Sequence, residues 1–336
     1  LKKTEVMTTV ESAQNYDELL GPSVAVSPYE YGTLFQGDGF MARLRCKKRL
    51  RLLKRIDFKL RHILERGEKV HFVTTGTTIS ARERFFFGLL AYYLNRRALV
   101  FTSRRILLLQ VNESDHPREL VSQLPYASIA SVKASWSGGC AVKLLNRETL
   151  NFQSIPGADR KYLIEFLADI VQLTNAPFEQ KRGVERLCPH CFVFVPDQLA
   201  SCPSCKGKFK SARNAGLLSA TFPGLGDFYL GYRWFALLEL LGAGGLWYFL
   251  VVDPLLGKST NQSTSRVDPE FWMTSVAIIV LAHLLDAMMA CHFARKGHYP
   301  SGAAPLAASL PPFVDRPKPD ANALNKLKIN RTAPPV

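Results

Sequence analysis

The sequence predicts a multidomain α+β protein whose last third is embedded in a membrane, and three observations support this prediction. Two long apolar runs, residues 234–252 and 271–291, lie close together near the carboxyl end. Two Cys-x-x-Cys pairs stand shortly before them. Upstream, residues 68–173 contain a series of short stretches rich in β-branched and aromatic residues, followed by a helical pattern. A chain of 336 residues has room for about two domains.

The first 66 residues are predicted to comprise an irregular region and a basic helix. Glycine and proline punctuate residues 1–42, whereas apolar residues recur at steps of three and four in residues 43–66. This amphipathic helix holds eleven lysines and arginines, a large contribution to the net charge of +15. Two interpretations, which are compatible with each other, remain open: it lies on an anionic membrane, or it packs on the following domain with its basic face in water. The candidate lipid contacts are Arg51, Lys54 and Arg55.

Residues 67–175 are predicted to form a domain of seven short strands and one closing helix. Each strand is β-branched or aromatic and is bounded by Gly, Pro, Asn or Ser. The helix follows Pro156 and carries its apolar residues on one face, from Tyr162 to Leu173. The predicted strands are residues 69–78, 98–103, 105–111, 120–124, 129–136, 140–145 and 149–155.

This order of elements, and the segments GEKVHFVTTGTT, RALVFTSRRILLL and LPYASIASVKASW, resemble the bacterial pleckstrin-homology-like (PH-like) domains. The resemblance covers about a hundred residues. It implies a seven-stranded, partly open barrel closed by a carboxyl-terminal helix. It does not imply a particular ligand, because a fold does not fix a function.

The apolar segment at residues 85–94 departs from that pattern. It is too short to span a bilayer, but arginines stand on both sides of it. It is therefore predicted either to dip into the membrane interface or to be a core strand or helix. The candidate lipid contacts in this region are Arg82, Arg84, Phe85, Phe86, Phe87, Arg96 and Arg97.

The two Cys-x-x-Cys pairs predict a structural Zn²⁺ site. After a linker at residues 176–187, the two pairs lie ten residues apart, and four thiolates complete a closed tetrahedral site. Residues 188–210 are similar to a short zinc ribbon. A redox dithiol is the alternative, and catalytic zinc is disfavoured because four cysteines leave no position for water. His190 is not expected to be a ligand. The predicted ligands are Cys188, Cys191, Cys202 and Cys205.

Residues 211–299 are predicted to form a two-helix transmembrane hairpin. Each apolar run has about the 20 residues that a helix needs to cross a bilayer. Basic residues precede the first run and follow the second, so both ends of the hairpin are predicted to be cytoplasmic. The alternative is the helical core of a soluble domain. We expect no signal peptide, and a disordered tail at residues 300–336.

Within the hairpin, the sequence PGLG followed by FYLG at residues 223–231, together with Asp286, resembles a family of two-helix transmembrane domains. Pro223 and the glycines beside it predict a short interfacial or re-entrant element at residues 216–231. Three ionisable groups in the apolar runs, Glu239, His283 and Asp286, are predicted to form a polar clasp, with proton or ion transfer as the alternative. Gly242, Gly244 and Gly245 offer a surface for oligomer formation.

These features predict a non-enzymatic scaffold or adaptor anchored in the inner membrane of a bacterium. Its cytoplasmic part is expected to bind anionic lipid, a membrane protein complex, or both. Nucleic-acid binding at the membrane, through the zinc ribbon and the basic helix, is the alternative. An enzyme is disfavoured, because no nucleophile–base set, paired acids or phosphate-binding glycine loop stands out in the sequence.

Overall fold

The computed structural model describes residues 28–35, 40–135, 139–173, 183–197, 199–256 and 269–302. The predictions for residues 1–27, for most of the linker and for nearly all of the tail lie outside these residues, as does the loop between the apolar runs. The described chain divides into two compact units, one ending at Pro196 and the other spanning Asp197–Ala304.

The first unit is built on an open, eight-stranded antiparallel sheet. Its strand order is β5-β6-β7-β1-β2-β3-β4-β8. The bounds are β1 Val70–Thr78, β2 Arg96–Thr102, β3 Arg105–Val111, β4 Pro117–Pro125, β5 Ile129–Ala134, β6 Cys140–Leu144, β7 Thr149–Gln153 and β8 Glu185–Leu187.

All seven predicted strands are present as β1 to β7, with small shifts at their ends. The eighth strand was missed, because the sequence predicted a linker at residues 176–187. In the structure β8 pairs with the edge of β4, with Val121 opposite Leu187. Three residues are too few to show a strand period, so only this pairing reveals the strand.

Two helices cover the sheet. The bounds are α1 Tyr31–Leu34, α2 Phe40–Ile63, α3 Ala81–Leu94 and α4 Gly157–Leu173. The covering helices are α2 and α4; a one-turn helix, α1, precedes them, and α3 lies between them in the chain. Side chains of α2 and α4 belong to two separate apolar clusters. Val73, Val100 and Leu107 belong to the first cluster, whereas their neighbours Phe72 and Phe101 belong to the second. Since successive strand residues point to opposite faces, α2 covers one face and α4 the other.

The apolar face of α2 is buried in this first unit. Leu53, Ile56, Leu60 and Ile63 are at most 1% exposed and contact the sheet. The interpretation in which the helix packs on the following domain is therefore confirmed. Any membrane contact by α2 has to use its opposite face.

The apolar segment at residues 85–94 belongs to α3, between β1 and β2. The helix begins with a capping box, in which the Ser80 side chain accepts from the Glu83 amide and the Glu83 carboxylate accepts from the Ser80 amide. Non-helical torsions at Gly88, φ 51° and ψ −126°, kink it in the middle. The segment is therefore a helix and not a strand.

The second unit contains five helices in its described part. They are α5 Ala212–Thr221, α6 Leu225–Leu230, α7 Arg233–Trp247, α8 Asp253–Leu256 and α9 Pro269–Ala294, with a π-helical turn at Tyr248–Val252. The predicted break falls between α5 and α6, at Pro223 and Gly224. Two spans, Arg233–Leu255 and Pro269–Ala294, are long and apolar enough to cross a membrane, and only 17% and 22% of their most apolar windows is buried.

Candidate functional site

The two Cys-x-x-Cys pairs form knuckles with the same backbone geometry. In the first, the Phe192 amide donates to the Cys188 carbonyl oxygen at 2.9 Å, and the Cys188 amide donates to the Val193 carbonyl oxygen at 2.9 Å. In the second, the Lys206 amide donates to the Cys202 carbonyl oxygen at 3.0 Å, and the Cys202 amide donates to the Gly207 carbonyl oxygen at 2.8 Å. Each knuckle thus turns its two thiols to one side of a tight loop.

The four thiols form one group. Their sulfur atoms all lie within 4.8 Å of one another, and they belong to Cys188, Cys191, Cys202 and Cys205. Cys188 and Cys202 are fully buried, and none of the four cysteines forms a disulfide bond. In a tetrahedral zinc site with Zn–S bonds of ~2.3 Å, the sulfurs are about 3.8 Å apart, so this donor set fits Zn²⁺. His190 is 3% exposed and stands outside the group.

The exposed face of α2 carries the first set of candidate lipid contacts. Arg51 and Lys54 are exposed, whereas Arg55 is half-buried and donates to the Ser114 carbonyl oxygen. We define the α2 stripe as the exposed residues at successive steps of three and four that share one side of the helix. It consists of Phe40, Leu44, Lys47, Arg51, Lys54 and Phe58.

The second set of candidate lipid contacts is divided by the structure. Arg84 is exposed and Phe85 is 83% exposed, so both are presented to the surroundings. Arg96 forms an ion pair with Asp115 at 2.6 Å, and Arg97 is only 7% exposed. A lipid contact at these last two arginines would require a side-chain rearrangement. The side chains of Arg82, Phe86 and Phe87 lie outside the described residues.

Two of the three ionisable groups in the apolar runs come together, and a fourth residue joins them. Glu239 of α7 and Asp286 of α9 each place a carboxylate oxygen within 4.8 Å of an oxygen of Asp227 on α6. Asp227 was missed because it lies outside the apolar runs. Its position in an otherwise apolar segment, between Gly226 and Phe228, was the available signal.

His283 lies apart from these carboxylates. Its Nδ1 is 2.9 Å from the Ala220 carbonyl oxygen, and its Nε2 accepts from the Trp247 indole at 3.3 Å. Within the part of the chain that the structure describes, neither Arg233 nor Arg295 forms an ion pair with the carboxylates. The predicted clasp therefore consists of acids alone.

No protein-family model matches this chain, and no curated protein matches it significantly. The resemblances to PH-like domains, zinc ribbons and two-helix transmembrane domains stay predictions that rest on the residues quoted for them.

Chemically, the arrangement offers two separate donor sets and two apolar helices. The thiol group suits a soft or borderline metal such as zinc, and the carboxylates suit hard cations or protons. The long helices present many large apolar side chains outward, among them Leu238, Leu241, Phe249, Met273 and Met288, each at least 66% exposed.

Proposed function

We propose that this chain is a non-enzymatic scaffold or adaptor anchored in the bacterial inner membrane by a two-helix hairpin. The observation that carries the proposal is the exposure of the two long apolar helices. Exposed apolar surface is unfavourable in water by about 25 cal/mol for each Å², and soluble monomers rarely present more than a few hundred Å² in one patch. In lipid the same surface is favourable.

The charges beside the helices support a hairpin with both ends in the cytoplasm. Lys206, Lys208, Lys210 and Arg213 precede the first span, and Arg295 and Lys296 follow the second. Cytoplasmic segments next to membrane spans carry an excess of lysine and arginine. The four-cysteine group fits this compartment, because a reducing cytoplasm favours metal over disulfide bonds.

The cytoplasmic part is proposed to be a PH-like domain followed by a structural zinc ribbon. The strand order supports the first assignment, because two antiparallel runs, β1 to β4 and β5 to β7, are joined through the β7–β1 pair and are followed in the chain by α4. The paired knuckles support the second. Zinc would be held by the four cysteine thiolates and would supply folding free energy to a segment too small to form its own core.

The α2 stripe is proposed to contact anionic lipid. Phe40 and Phe58 are 74% and 71% exposed, and three cationic side chains of the stripe, Lys47, Arg51 and Lys54, stand between them. Aromatic rings favour the membrane interface, and each basic residue near an anionic surface contributes about 1 kcal/mol. Since the opposite face of α2 is buried, this contact leaves the fold of the first unit unchanged.

The test uses the full chain in lipid nanodiscs, with the photo-crosslinking residue p-benzoylphenylalanine in place of Phe58. We expect crosslinks to lipid in nanodiscs that contain phosphatidylglycerol and few in pure phosphatidylcholine. Arg51→Gln with Lys54→Gln should reduce them, whereas Lys133→Gln, an exposed lysine on β5, should not. A crosslinker at Phe249, on the first span, is the positive control.

Nucleic-acid binding is the competing outcome of the same experiment. If Phe58 crosslinks to lipid in neither kind of nanodisc, the lipid contact is wrong, and equal crosslinking in both would refute the preference for anionic lipid. Salt-dependent binding of an oligonucleotide that is lost in Arg51→Gln with Lys54→Gln would then favour the alternative function.

A further inference from the structure

Three carboxylates meet where three helices of the second unit converge. Asp227 comes from α6, Glu239 from α7 and Asp286 from α9, and one oxygen from each lies within 4.8 Å of the other two. Ionised carboxylates at such separations repel one another strongly when they are removed from water. A buried group of this kind needs either positive charge or protons.

Asp227 provides a second and separate observation. Its side chain is completely buried, and neither of its carboxylate oxygens has a hydrogen-bond donor. Glu239 Oε2 and Asp286 Oδ1 are also buried and without a partner. Buried polar atoms in proteins are almost always paired, so four unpaired oxygens on three neighbouring carboxylates indicate a place for a cation or for shared protons.

The backbone of the turn before α6 packs closely against α7 beside these carboxylates. Gly224 has a φ of +90°, and a Cβ there would lie 2.7 Å from the Ala236 carbonyl oxygen and 3.1 Å from Glu239 Cβ. This close approach allows the Gly224 amide to donate to Asp286 Oδ2 at 2.9 Å. The turn before α6 thus fixes Asp286 on one side and brings Asp227 toward α7.

We propose that Asp227, Glu239 and Asp286 bind one divalent cation that prefers oxygen ligands, of the class of Mg²⁺, Mn²⁺ and Ca²⁺. Three carboxylate oxygens form the group, and neither a thiol nor an imidazole belongs to it. Hard cations favour such ligands and complete their coordination with water or carbonyl oxygen. The bound ion would offset two of the three negative charges, one proton or a nearby donor would offset the third, and the ion would tie α6, α7 and α9 together.

Shared protons are the competing explanation, and the two differ in a direct binding measurement. The full chain is purified in detergent, stripped of metal with a chelator and given one equivalent of Zn²⁺ to fill the cysteine group. It is then titrated with Mn²⁺, and the electron paramagnetic resonance signal of free Mn²⁺ reports binding. Competition with Mg²⁺ and Ca²⁺ ranks the three ions.

We expect about one tight Mn²⁺ site for each wild-type chain, and a loss of affinity of about tenfold or more in Asp227→Asn and Asp286→Asn. The matched control is Asp253→Asn, which removes an exposed carboxylate at the other end of the first span and should bind Mn²⁺ like the wild type. Glu239→Gln, at a half-buried position, tests the site if the aspartate variants do not fold.

The proposal is overturned if the wild-type chain binds no Mn²⁺, or if Glu239→Gln binds it as tightly as Asp253→Asn does. Absence of binding together with greater thermal stability of the Asn and Gln variants would assign the group to shared protons. These results are independent of lipid contact by the α2 stripe, so the two proposals can fail separately.

Discussion

Phe192 and Lys206 occupy equivalent positions in the two knuckles, and both have a left-handed backbone, with φ of 56° and 59°. Each follows the second cysteine of its pair and donates its amide to the carbonyl oxygen of the first cysteine. Non-glycine residues adopt this conformation only where the surroundings require it. Two such residues at equivalent positions indicate that both loops are shaped to present a pair of thiols.

The first prediction concerns metal content. The full chain should contain about one zinc ion, and Cys188→Ser or Cys202→Ser should lose most of it, because each removes one of four ligands. Elemental analysis of the purified protein provides the measurement. The control is Cys140→Ser on β6, where burial raises the pKa of the native thiol to about 11. Equal zinc in all variants would refute the four-cysteine site.

The second prediction uses the left-handed position at Lys206. Lys206→Val should destabilise the zinc-loaded knuckle by about 1–3 kcal/mol, because a β-branched residue strains this conformation. Lys206→Gly should be neutral or stabilising. Competition with a chromophoric zinc chelator measures the effect. Lys208→Val removes an equivalent exposed charge two residues away, and a loss of the same size there would contradict the backbone explanation.

The third prediction concerns the buried ion pair between Glu68 and Arg105 in the first unit. Their side chains are 0% and 9% exposed, and Arg105 Nη2 donates to Glu68 Oε2 at 2.8 Å. Glu68→Gln should destabilise this unit by up to about 3–5 kcal/mol, since the buried Arg105 charge would keep only the more exposed Glu65, at 3.2 Å, as an ion-pair partner. The measurement is thermal or denaturant unfolding of the full chain, monitored by a signal that reports on the first unit.

The same pair predicts acid sensitivity. Burial alone would raise the pKa of Glu68, but the hydrogen bonds and charge of Arg105 outweigh it, so the pKa lies below its usual value. The folded state therefore binds fewer protons than the unfolded state, and this stabilisation is lost as the pH falls from the usual Glu value through the lower folded value. Glu68→Gln should therefore make the free energy of unfolding less dependent on pH in this range.

The exposed pair Arg104 and Glu65 is the control for this prediction. Its side chains are 53% and 41% exposed, so Arg104→Gln should change stability by at most about 1 kcal/mol. If Arg104→Gln and Glu68→Gln behaved alike, burial would not explain the importance of the Glu68–Arg105 pair.

The fourth prediction compares two glycines of the second unit. A Cβ on Gly226 would lie 2.4 Å from the Ala215 carbonyl oxygen and 2.8 Å from Ala290 Cβ, whereas a Cβ on Gly242 would meet nothing within 4 Å. Gly226→Ala should therefore lower thermal stability in detergent strongly. Gly242→Ala should leave it unchanged or raise it slightly, because alanine favours helix. Equal losses would show that Gly242 is also closely packed, as in an oligomer.

The sequence predicted the strands of the first unit well because each repeats a local pattern between turn residues. It left the role of α2 open, because an amphipathic face suits a sheet and a membrane equally. The contacts of Leu53, Ile56 and Leu60 with the sheet show that the apolar face is packed, so only the α2 stripe is left for a membrane. The residues of β8 give no pattern of their own.

The candidate sites also differ in how far a local sequence pattern reveals them. The cysteine group was predictable, because two pairs of ligands lie close together in the sequence and one chemistry suits them. The acidic group was predicted only in part, because Asp227, Glu239 and Asp286 come from three separate helices. His283 shares a helix face with Asp286 by spacing, yet it bonds to Ala220 and Trp247.

Membrane extraction tests the central claim most directly, namely that Arg233–Leu255 and Pro269–Ala294 lie in lipid. The full chain is expressed in bacteria, and the isolated membranes are washed with alkaline carbonate and then extracted with a mild detergent. We predict that the protein stays in the washed membranes and that detergent releases it as a folded, monodisperse species. Recovery of a folded, monodisperse protein in the detergent-free supernatant would contradict the claim.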